Sequence, residues 1–78
     1  MDAKTVRTEK RIMMGVEIRR LRSELEMSQE DLSRKIKIPQ YLISLAELGK
    51  RSLRDSTLDK IANGLGVESS ELLLVEAK

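Results

Sequence analysis

The chain has 78 residues, room for one domain around one modest core. It contains no Cys and no His, which excludes a disulfide framework, a thiolate or imidazole metal site, and any Ser-His or Cys-His nucleophile pair. Its 15 Lys and Arg against 13 Asp and Glu leave a net charge of +2, and no run approaches the ~20 apolar residues of a membrane span. Residues 1–11 are too polar for a signal peptide, so a soluble cytoplasmic protein is expected.

In chain order, residues 1–11 offer little to pack and read as a mobile basic tail, with the domain proper at 12–78. From Ile12 a helical stripe begins: Met14, Ile18, Leu21 and Leu25 share one face, with Glu17, Arg19, Arg20, Glu24 and Glu26 opposite. Ser28 reads as an N-cap, with Asp31 three residues on to complete a weak capping box. The second helix buries Leu32 and Ile36 and ends near Lys35 or Ile36. Pro39 pushes Ile38 out of the helical region and suits the first position of a third helix, 39–48, with Gly49 placed to end it in a left-handed conformation. Asp55 or Ser56 caps a fourth helix that presents Leu58, Ile61, Ala62 and Leu65, and Gly66 stops it. A fifth helix runs from about Ser69 to Val75. Five short helices with tight connections predict an all-α bundle.

Two helices separated by about three residues must cross steeply, which is helix-turn-helix geometry and holds the second helix proud of the surface. On the helix 39–48, Ile43 and Ala46 are expected inward, and Gln40, Tyr41, Ser44, Leu45 and Leu48 outward. Charge is unevenly spread: residues 1–54 hold 13 cations and 8 anions, residues 55–78 hold 2 and 5. Arg34, Lys35, Lys37, Lys50, Arg51 and Arg54 crowd into one short stretch with Glu47 as its sole anion. Such a flank suits a polyanionic partner, or simply solvates a surface.

The run Ser28-Gln29-Glu30-Asp31-Leu32, then Ile43-Ser44, Glu47, Gly49-Lys50-Arg51, Ile61-Ala62 and Leu65-Gly66-Val67, resembles the phage-repressor/Cro-type helix-turn-helix family, also called the xenobiotic-response-element family. The resemblance covers about Met14 to Leu74. It implies an all-α, five-helix, lambda-repressor-like domain that binds double-stranded DNA as a sequence-specific transcriptional regulator. The phage repressor, restriction–modification controller and antitoxin types all remain open. It further implies base reading by Gln40, Tyr41, Ser44 and Leu45, phosphate contacts from Gln29, Lys50, Arg51 and Arg54, and a structural ion pair between Arg22 and Glu47. Gln suits an adenine edge, and loop cations displace counterions from phosphates. No cofactor, metal, small-molecule ligand, membrane or enzymatic activity is expected.

The chain also departs from the family pattern. Lys37 stands where Gly is usual, Pro39 replaces a Ser/Thr cap, Ala46 makes a shallower core, and the usual Pro before the fourth helix is missing. Tyr41, Leu45 and Leu48 form an apolar stripe where relatives show polar groups. That stripe meets either thymine methyl groups or a protein partner, so a protein-interaction module is the rival reading. Leu48 also displaces a common phosphate contact. Reading two half-sites requires a homodimer, with Leu72-Leu73-Leu74-Val75 as either interface or core, and the tail 1–11 is expected to order on DNA.

Overall fold

The computed structural model describes residues 3–73. It contains five helices: α1 (Ala3–Glu24), α2 (Gln29–Ile36), α3 (Gln40–Glu47), α4 (Asp55–Gly64) and α5 (Ser69–Leu73), and among the described residues no strand. α1 starts at Ala3 rather than Ile12, so the backbone at 3–11 belongs to the helix. That segment is rich in the strong helix formers Ala, Lys, Arg and Glu and contains neither Pro nor Gly.

Four helix ends share one device. After α1, α2, α3 and α4 the backbone turns left-handed, at Glu26 (φ 53), Lys37 (φ 59), Gly49 (φ 71) and Gly66 (φ 75). At Gly49 the amide donates to the Ala46 carbonyl and the Lys50 amide to that of Leu45, which closes the last turn of α3 in a Schellman motif. Gly66 and Val67 repeat it on Asn63 and Ala62, and Glu26 and Met27 repeat it on Ser23 and Arg22. The stop at Glu26 corrects the expected stripe of the first helix. Leu25 lies beyond the end of α1 and is 51% exposed, while Met14, Ile18 and Leu21 pack inward.

α2 begins as its sequence predicts. The Asp31 amide donates to Ser28 Oγ at 2.9 Å, and the Ser28 amide donates to Asp31 Oδ2 at 3.0 Å. These bonds, with Arg34 nearby, hold the Asp31 carboxyl below the usual aspartate range. Ser33 latches the following turn: its carbonyl accepts from the Ile38 amide, and its hydroxyl donates to the Ile38 carbonyl at 2.6 Å. Pro39 precedes α3 as its N-cap rather than opening it. α4 is capped by Arg54 with no side-chain cap bond, so neither Asp55 nor Ser56 caps it; Asp55 sits in the first turn, where its charge still favours the helix dipole.

The core is aliphatic: Ile18, Leu32, Ile43, Ile61 and Leu72 are fully buried, with Ile38, Ala46, Leu58, Ala62 and Leu65 around them. Two helix crossings depend on missing side chains. A Cβ on Gly15 of α1 would lie 2.4 Å from the Ala46 carbonyl oxygen and 2.5 Å from that of Glu47, so α1 meets the backbone of α3 there. A Cβ on Gly64 would reach Ile36 Cγ2 at 2.5 Å, which sets the approach of α4 to α2. α5 is described as far as Leu73; Leu74 and Val75 of the expected interface lie outside the described residues. Leu72 belongs to the core of its own chain, so it cannot serve a second copy.

Candidate nucleic-acid interface

α3 follows α2 after the Lys37-Ile38-Pro39 turn, and its two faces part as the spacing predicts. Ile43 and Ala46 are buried, and Gln40, Tyr41 and Leu48 are exposed. Ser44 and Leu45 are half-buried rather than fully outward-facing, so the middle of the apolar stripe is less exposed than its ends. Its two ends stand clear, Tyr41 at 62% and Leu48 at 57% exposure.

What fixes α3 against the scaffold is a polar cluster centred on the buried Glu47. Arg22 Nε donates to Glu47 Oε2 at 2.7 Å and Arg22 Nη2 to Oε1 at 3.0 Å, a two-bond clamp from α1. Arg22 Nη1 donates to the Met27 carbonyl at 2.7 Å. The bonds to Glu47 push the Arg22 pKa up further, against the opposing effect of burial. Gln29 Nε2 donates to Glu47 Oε1 at 3.0 Å. Gln29 is therefore a third member of the cluster, where the sequence implied only a phosphate contact.

Lys50, Arg51 and Arg54 are exposed on the loop that leaves α3. Arg51 and Arg54 line one hollow of about 330 Å³ with Leu42, Ser52, Leu53 and Thr57. The structure thus adds two hydroxyls, Ser52 and Thr57, that the sequence did not single out. Arg11 Nη1 donates to Ser52 Oγ at 3.2 Å and ties α1 to this loop. A second hollow, about 300 Å³, is lined by Met14, Ala46, Leu53 and Leu58 together with Arg11 and Arg51. Arg34 on α2 is engaged by its own helix, pairing with Glu30 at 3.5 Å and Asp31 at 3.2 Å.

A second helix anchored from behind, with its outer face free, is the arrangement that a helix-turn-helix places against DNA. A helix-turn-helix family model matches residues 18–72. The chain belongs to the helix-turn-helix family. It is 36% identical over 63 residues to control protein C.MunI of a Mycoplasma species, covering 80% of this chain and 85% of that protein. Its structure is similar to the restriction–modification controller protein C.AhdI of Aeromonas hydrophila, with a TM-score of 0.77 and 27% identity over 80% of this chain and 94% of that one. The fold is also shared by the clp gene regulator ClgR of Corynebacterium glutamicum, with a TM-score of 0.80, 19% identity, and 87% and 72% of the two chains covered. The chain is accordingly a DNA-binding helix-turn-helix transcriptional regulator. The family is one of regulators and not of enzymes. Among the described residues no helix is long and apolar enough to cross a membrane.

Proposed function

We propose that this regulator binds a two-part operator as a homodimer in the cytoplasm and controls transcription of restriction–modification genes. Each copy lays α3 in the major groove. Gln40, Tyr41, Ser44 and Leu45 meet base edges, and Lys50, Arg51 and Arg54 meet phosphates. Gln29 has a second amide hydrogen beyond the one it gives Glu47, and this donates to a phosphate at the start of α2. Ser52 and Thr57 extend the phosphate set around the hollow they share with the two arginines. The observation that carries this reading is the exposed, uncharged face of α3 flanked by Lys50, Arg51 and Arg54. The controller role is supported by the likeness to C.MunI and C.AhdI. Leu73, 42% exposed, is the described residue of the expected interface still available to a second copy.

Selection of binding sites from random duplex DNA tests it, with Gln40→Ala as the control. A palindromic site whose sequence preference weakens at one position in Gln40→Ala supports the reading. A non-palindromic site rejects the dimer, and selection that recovers no common sequence rejects base reading altogether. The exposure of Tyr41 and Leu48 favours one rival, a protein partner seated on the stripe. Salt separates the two, because phosphate-driven binding weakens steeply with ionic strength and apolar contact does not.

A further inference from the structure

We infer that the operator half-site is A·T-rich and that the ridge Tyr41-Leu45-Leu48 reads thymine through its C5-methyl group. The inference rests on the DNA-binding reading above and adds the chemistry of the bases recognised. α3 carries no Lys, Arg or Asp, and its one charged residue, Glu47, is buried and committed to Arg22 and Gln29. The helix therefore brings no cation to the guanine O6/N7 edge, where Arg and Lys make the commonest specific contact. What it offers is one exposed amide, Gln40, and an apolar ridge at i, i+4 and i+7. An amide pairs in two-bond fashion with adenine, and the one apolar feature of the major groove is the thymine methyl. Amide and ridge lie side by side on one helix face, so adjoining A·T pairs satisfy both.

Charge decides the occupant. A protein partner that buried Tyr41 and Leu48 would have to lie beside Lys50, Arg51 and Arg54, which are exposed just beyond the ridge. Duplex DNA presents a methyl-lined floor bordered by phosphates, which matches an apolar ridge bordered by cations. Leu45, half-buried, keeps part of its side chain for a methyl contact, while Tyr41, standing clear, adds ring surface toward the neighbouring base.

The test uses the full chain and the operator recovered by site selection. Each thymine in a half-site is replaced in turn by deoxyuridine, which removes the methyl and leaves every hydrogen-bonding group in place. Affinity is expected to fall about fourfold at each contacted thymine, the worth of one buried methyl-sized group. Deoxyuridine outside the half-sites serves as the control and is expected to change nothing. In Leu45→Ala, with folding checked by thermal unfolding, the difference between thymine and uracil is expected to vanish at one position. Tyr41→Ala makes the same test at a more exposed side chain if Leu45→Ala does not fold. Half-sites fixed by G·C pairs, or thymine and uracil duplexes bound equally well throughout, would overturn the inference and leave DNA binding intact. Failure to retain any duplex in dilute salt would overturn the regulator reading beneath it.

Discussion

Lys37 and Glu26 hold a left-handed backbone, φ 59 and 53, at positions where the other two helix ends use Gly. A side chain in that region costs about 1 kcal/mol, because Cβ crowds the following carbonyl. Lys37→Gly is therefore expected to stabilise the fold by about 1 kcal/mol, a rise in Tm of roughly 4–8 °C for a domain of this size, measurable by thermal unfolding. No gain at Lys37 would mean that the Ser33 latch on Ile38, rather than the backbone preference of residue 37, sets the turn. Asp31 gives a prediction in pH. Its carboxyl is held low by Ser28 and Arg34, so it contributes stability above the ordinary aspartate pKa that is lost as pH falls through its own lower value. Helix content is expected to decline as pH falls below about 4, and Asp31→Asn to lose that part of the acid dependence. The Ser28–Asp31 box and the stops at Gly49 and Gly66 were legible because each is written within a few residues by type. The stop at Glu26 was not: a glutamate carries no helix-ending signal, and so Leu25 read as one more position of the stripe.

Contacts between elements were legible in a different measure. The apolar spacing marked Ile18, Leu32, Ile43, Ile61 and the inward side of α3, because helical period and burial coincide there. Gly15 and Gly64 passed unnoticed, since a Gly inside a helix looks like a weak residue until the neighbour that needs the space is known. Gly15→Ala sets two effects against each other. Alanine gains about 1 kcal/mol of helix propensity, and overpacking against a backbone that cannot rotate away costs about 1–3 kcal/mol. With carbonyl oxygens at 2.4 and 2.5 Å, the second effect prevails, and chemical denaturation is expected to show net destabilisation. An unchanged or higher midpoint would show that α1 shifts off α3 freely. The extension of α1 back to Ala3 was also beyond reach, since composition alone does not separate a solvated helix from a polar tail.

For the whole molecule, the uneven charge of the sequence acquires a defined place only through the fold, which sets Arg51 and Arg54 around one hollow with Leu42 of α3. Arg51→Ala and Arg54→Ala are each expected to weaken binding about equally for all duplex sequences and to reduce the salt slope of log affinity by about 1. Titrations at several salt concentrations measure it, and a variant that changes sequence preference while keeping the slope would reassign that residue to base contact. The crowding of Lys50, Arg51 and Arg54 just after α3 was foreseeable, because it is written in the order of residues. That Ser52 and Thr57 share a hollow with Arg51 and Arg54 was not, because neither hydroxyl shows a motif in sequence.

The cluster of Arg22, Gln29 and Glu47 has a practical consequence. It grips the inward side of α3 through groups supplied by α1 and α2, and none of Gln40, Tyr41, Ser44 or Leu48 takes part in it. The support of α3 and its exposed face are thus separable in this molecule. Exchanging the three outward letters Gln40, Tyr41 and Leu48 for another regulator's should rewrite which operator is chosen while the mounting, the melting temperature and the grip on the sugar–phosphate rails stay as they are.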